Sequence, residues 1–191
     1  MHVAVIFDNQ VRPDTTGVHC LEALEALCEV QHFLPSDMEE IPREGFDLYL
    51  NIDDGLQYRF PLDLAPAAWW VIDTHLNYEW DRLKSDDFDY IFAAQKDGAE
   101  RLREDGVAEA EWLPLACNPR SHRRHDVAKD LDVCFIGAVV PGERERLLTL
   151  LRDQFESTHV GQAYEDDMAR VLPVARGLQP QHPQRCQHAR L

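Results

Sequence analysis

The feature that most limits what this chain can become is an alternation of short apolar runs with stretches of helical spacing. The runs Val3–Phe7, Val30–Leu34, Phe46–Ile52, Ala68–Ile72, Tyr90–Ala94 and Glu111–Leu115 are bounded by Asp, Gly and Pro, while Val18–Leu27 and Gly98–Glu104 carry helical patterns. Runs this short and this apolar suit strands covered on both faces. Helices between them return the chain so that the next strand lies parallel. Val18, Leu21, Leu24 and Leu27 recur at helical spacing, and Asp97 is placed to cap a helix ending at Gly106. An α/β domain built on a Rossmann-like parallel sheet is predicted over residues 1–118.

Residues 119–130 carry Pro119, His122, Arg123, Arg124 and His125 without an apolar period, and read as a linker. A second unit starts at 131. Leu131–Gly137 has the pattern of a buried strand ending in Gly, Pro141-Gly142-Glu143 opens a helix with Leu147, Leu148, Leu150 and Leu151, and Thr158–Gly161 with Tyr164–Arg170 repeats the pattern. It reads as an incomplete second Rossmann-like domain over 131–176. From Gly177 to Leu191 the period stops, and Gln, His and Pro dominate.

The formal charge is −16, from 35 acidic and 19 basic residues. Such a surface repels nucleic acid and anionic lipid at long range, so neither is an expected partner. The apolar run at the N-terminus is too short for a signal sequence or a spanning helix, and a cytoplasmic protein is expected. The five cysteines, Cys20, Cys28, Cys117, Cys134 and Cys186, form no C-x-x-C pair and are odd in number. Reduced thiols and no zinc site are expected.

Three stretches resemble the CgeB-like spore-maturation glycosyltransferases, a family of GT-B fold. They are Asp14-Thr15-Thr16-Gly17-Val18-His19; Asn51-Ile52-Asp53-Asp54-Gly55 with Trp69-Trp70-Val71-Ile72-Asp73-Thr74-His75; and Asp132–Gly137 followed by Pro141-Gly142. Each motif is short, but their order and spacing agree through about Arg170. The resemblance implies two Rossmann-like domains, a nucleotide-sugar donor and a separate acceptor, with no further cofactor. In the family, the helix like Tyr164–Arg170 is followed by a segment resembling VFNRSIRNDVNMRVFE in the donor-binding half. Codons for Gly177–Leu191 can be chosen so that the frame one base forward reads VFNRSIRNDVNMRV. The tail, 177–191, is therefore expected to be an out-of-frame product with the break near Val171–Ala175, and the transferase activity of this chain to be impaired or lost.

Ligands of open parallel sheets sit beyond the carboxyl ends of the strands, which makes the loops there the places to search. Asp14, Thr15 and Thr16 follow the first strand, Asp53 and Asp54 the third, Asp73, Thr74 and His75 the fourth, and Lys96 the fifth. Asp73 and His75 are the expected catalytic or acceptor-binding pair, with Asp14, Thr15, Thr16, Asp53, Asp54 and Lys96 on the acceptor side. The same Asp and Thr types also close turns and cap helices. On the donor side, Gly137, Pro141, Gly142 and Gly161 lie where backbone could approach a pyrophosphate. Trp69 and Trp70 adjoin on one strand and face opposite sides, so one belongs to the core.

Two other readings compete. Asp8, Asp53, Thr74 and Lys96 occupy receiver-like positions that could hold Mg²⁺ and accept a phosphoryl group. Only one acid sits in the first loop, however, and Pro61 and Pro66 interrupt the crossover helix. An inert remnant or binding module is the third reading, because the second unit has few elements with which to cover its sheet. Sequencing the DNA around Val171 checks the frame: a one-base change restoring VFNRSIRNDVNMRV is expected there, and codons incompatible with that phrase would refute it.

Overall fold

The computed structural model describes residues 1–11, 15–120, 123, 125–128 and 130–171, with backbone only for Glu165 and Asp166. Asp14 and the expected out-of-frame tail, 177–191, lie outside the described residues. The chain divides into two compact units, Met1–Ala116 and Cys117–Leu191.

The first unit runs β1 (His2–Ile6), α1 (Thr16–Glu25), β2 (Glu29–Phe33), a 3₁₀ turn at Pro35–Glu40, β3 (Leu48–Ile52), β4 (Ala67–Val71), α2 (Tyr78–Ser85), β5 (Tyr90–Ala93), α3 (Lys96–Glu104) and β6 (Ala110–Trp112). The six strands form one parallel sheet in the order β2-β1-β3-β4-β5-β6. The predicted α/β class and parallel sheet are thus present.

The centre of the sheet is fully covered on both faces. Val3, Ala4, Val5 and Ile6 of β1 are each at most 1% exposed. Val3 and Val5 pack with Phe7, Ile52 and the α1 residues Val18, Leu21 and Leu24. Ala4 and Ile6 pack on the opposite face with Tyr49, Phe60, Leu64 and Met38. This two-sided burial explains why the strands read as continuous apolar runs. Leu27, expected on the α1 face, is exposed instead, because the helix ends at Glu25 and the chain has already turned.

Two local readings are revised and one holds. Gln95, not Asp97, is the N-cap of α3; Asp97 sits in the first turn, where its Oδ1 accepts a bond from the Gly98 N–H. Between β3 and β4 no helix forms, and the connection through Pro61 and Pro66 runs as loop, as the prolines dictate. Between β4 and β5 lies α2, which the apolar pattern did not announce.

The second unit holds β7 (Val133–Ile136), α4 (Glu143–Gln154), β8 (Thr158–Gly161) and α5 (Glu165–Val171), with β7 and β8 paired in parallel. Its strands are half-buried throughout, in contrast to β1. Among the described residues no helix is long and apolar enough to cross a membrane.

The start of α1 is held against the sheet by a missing side chain. A Cβ on Gly17 would lie 2.3 Å from the buried ring of Phe7. Gly17→Ala therefore has to displace Phe7 or the helix, a cost of about 1–3 kcal/mol for overpacking. A lowered urea midpoint is expected; an unchanged one would show that the helix start adjusts freely.

Candidate functional site

The strand order reverses direction of growth between β1 and β3, so the crevice beyond their carboxyl ends is the natural ligand position. Backbone N–H groups leaving these strands have no ladder partner and must be satisfied otherwise. Asp53 and Asp54 perform that task. Asp53 Oδ1 accepts from the Gly55 N–H (3.0 Å) and its Oδ2 from the Ile72 N–H (2.8 Å), joining the ends of β3 and β4. Asp54 Oδ1 accepts from the Leu56 N–H (3.0 Å), and its Oδ2 takes both the Asp8 N–H (2.8 Å) and the Tyr58 hydroxyl (3.2 Å). Behind them the fully buried Asn51 amide donates to the Ile6 carbonyl and to Tyr58 Oη. Three strand ends are tied together by two consecutive side chains.

Beside this tie opens a cavity of about 420 Å³, entirely within the first unit. One wall carries Thr15, Thr16, Asp53 and Asp54; the other is α2, contributing Trp80, Asp81 and Lys84, with Trp69 of β4 between. The helix α2 is amphipathic in the wrong sense. Asp81 and Lys84 are 6% and 1% exposed, whereas Leu83 is 48% exposed. Burying an ammonium or a carboxylate without a partner costs several kcal/mol, so an inverted helix is a poor element for stability alone.

The Lys84 ammonium sits 3.9 Å from the centroid of the Tyr58 ring and 4.9 Å from that of Trp69. Among the described residues no carboxylate oxygen lies within 4.0 Å of it. Aromatic faces supply partial compensation for the lost water. Burial lowers the Lys84 pKa to about 8, with the charges of Asp53, Asp54, Asp87 and Asp81 drawing it partly back. Burial raises Asp81 to about 7; the charge of Asp53 adds to the rise and Lys84 opposes it. Burial also raises Asp53, against the bonds it accepts from Gly55 and Ile72. A carboxylate poised near neutrality beside an ammonium can take a proton from a bound hydroxyl.

The expected site residues separate clearly. Thr15, Thr16, Asp53, Asp54 and Asp73 line the cavity, and Asp14 lies outside the described residues. Asp73 stands at the rim with φ of 60°, its Oδ1 accepting from Gln95 Nε2 at 3.3 Å. His75 is exposed and lies outside the lining. Lys96 points away, forming an exposed ion pair with Glu100 at 3.8 Å. Asp8 holds its own turn by accepting from the Gln10 and Val11 N–H groups, and the Thr74 hydroxyl bonds Gln95. The four receiver-like residues are thus each engaged by other groups. Trp69 is the core member of its pair, stacked on Phe88, and also reaches the cavity; the Trp70 indole N–H donates to the Leu113 carbonyl.

Asp81, Lys84, Trp80 and Tyr58 were missed from the sequence. The available signal was the segment Tyr78–Ser85 itself, where charges fall at i and i+3 on the side bearing Tyr78 while the leucine falls opposite. In the second unit, Gly137 and Gly161 end the paired strands, the Gly137 N–H donating to the Gly161 carbonyl at 2.8 Å, and Gly142, preceded by Pro141, is the N-cap of α4 with φ of 112°. Among the described residues no cluster of three or more His, Cys, Asp or Glu side chains has metal-binding geometry. Neither a protein-family model nor a curated protein matches this chain.

The charge on Asp81 is a cost to folding, and its pH dependence has a definite sign. A carboxyl raised in the folded state is neutral in both states below about pH 4 and ionised in both above about pH 7, so the cost is fully present only above the folded value. Asp81→Asn should therefore raise Tm at about pH 8, equivalent to about 1–3 kcal/mol. The gain should vanish as the pH falls toward 4. Thermal melts across that range check it; a variant destabilised at pH 8 would contradict the buried, unpartnered carboxylate.

Proposed function

We propose that the first unit is the acceptor-binding domain of a glycosyltransferase that uses a nucleotide-sugar donor, and that the second unit is the start of the donor-binding domain. The observation that carries this reading is the cavity at the switch point of the parallel sheet, where carboxylates share the lining with the half-buried indole of Trp80. Carboxylates accept hydrogen bonds from sugar hydroxyls and aromatic faces cover the apolar side of a sugar ring. Four acids and a single base make the cavity unsuited to a pyrophosphate, which supports assigning it to the acceptor. Asp81 on the inner wall and Asp73 at the rim hold and orient the acceptor. Of the stretches that carry the resemblance, Asp53-Asp54-Gly55 and Asp73 line this cavity.

The strand order also fits a receiver-like phosphoacceptor, but both oxygens of Asp53 are engaged by backbone N–H groups and Lys96 is turned toward Glu100. The transferase reading accounts for the cavity better.

With the out-of-frame tail, the chain as written binds acceptor and is impaired in transfer. Calorimetry with a panel of UDP-, GDP- and dTDP-sugars tests the second statement through its cause, the loss of donor binding. No saturable binding is expected for this chain, and binding of at least one donor is expected once the frame is restored near Val171. A frame-restored protein that binds none of them would sink the glycosyltransferase reading.

A further inference from the structure

The cavity has more to say about its occupant than that it is a sugar. Asp53 and Asp54 are engaged by the strand ends, but the carboxylate of Asp81 has no hydrogen-bond or ion-pair partner among the described residues although the residue is 6% exposed. Lys84, 1% exposed, directs its ammonium between two rings with no carboxylate oxygen within 4.0 Å among the described residues. Two buried polar side chains, one a pure acceptor when ionised and one a pure donor, thus face the same space with their capacity unused. A ligand hydroxyl can satisfy the donor. The acceptor, in a lining of four carboxylates against one ammonium, favours a cation.

We propose that the cavity takes a polyhydroxylated primary amine, such as an amino sugar or an aminocyclitol, with its ammonium on the Asp81 carboxylate, a hydroxyl oxygen on Lys84 and its ring against Trp80. The proposal rests on the acceptor-side reading and narrows it to a chemical class. A cationic ligand converts the cost of ionised Asp81 into a charge-assisted bond of the stronger kind. It also gives the inverted α2 a purpose: the helix exchanges stability for two recognition groups. An anionic sugar paired with Lys84 is the competing occupant, and it would meet the field of four acids in a partly dry space where such repulsion is weakly screened.

Titration of the full chain by calorimetry at about pH 8, where Asp81 is ionised, separates these cases with three probes: 6-amino-6-deoxy-D-glucose, D-glucose and D-glucuronate. The amine should bind at least about tenfold more tightly than glucose, and glucuronate most weakly. In Asp81→Asn, a variant expected to melt higher than the parent and so to remain folded, the ratio of amine to glucose affinity should fall to about one. Lys84→Met should weaken amine and glucose alike. Tightest binding of glucuronate, or an amine advantage that survives Asp81→Asn, would overturn the proposal. Glucose binding with no amine advantage would overturn it and leave the acceptor reading standing; no binding by any of the three would count against both.

Discussion

The first unit depends on two adjacent carboxylates. Parallel strands end with N–H groups that the ladder no longer uses, and at a switch point the neighbouring loops diverge and cannot satisfy each other. Asp53 and Asp54 accept from Gly55, Ile72, Leu56, Asp8 and the hydroxyl of Tyr58, so the ends of β1, β3 and β4 share one polar knot. The cavity wall is the outer surface of that knot. Its geometry is fixed by bonds between carboxylate acceptors and backbone donors, which are more directional than apolar packing and stronger than neutral hydrogen bonds. Gly17, pressed on Phe7, brings Thr15 and Thr16 to the same rim.

The sheet was legible because its central strands are buried on both faces and therefore nearly uninterrupted in the sequence, as in Val3–Phe7. The loop after β3 was legible from its prolines. What escaped was α2. Its apolar residues do not form one stripe, since Leu83 faces water while Asp81 and Lys84 face inward, and periodicity searches look for the opposite arrangement. The candidate site was half legible for a related reason. Asp and Thr after a strand mark the crevice correctly, but a sequence does not say whether a carboxylate is spent on neighbouring N–H groups, as in Asp53, or left free, as in Asp81. His75 and Lys96 illustrate the converse: they sit at suggestive positions, yet the chain at the strand end turns their side chains outward.

The two units differ in how well their strands are covered. In the first, β1 has a sheet neighbour on each side and a layer on each face. In the second, every residue of β7 and β8 stays half-exposed, although the glycines that close the strands pair as a parallel ladder should. Short two-stranded sheets have little area to bury, and their local opening free energy is correspondingly small. Cooperative unfolding is thus a property to look for in residues 1–116.

The inverted helix bears on how this protein can be altered. Ordinary rules of sequence optimisation would treat Tyr78–Ser85 as a flaw, placing a polar residue at Leu83 and apolar residues at Asp81 and Lys84 to restore an amphipathic stripe. The changes at Asp81 and Lys84 would make a sturdier domain and remove the polar groups that line the cavity. Along α2, then, thermostability and recognition are opposed objectives, and variants selected for the first will tend to erase the second.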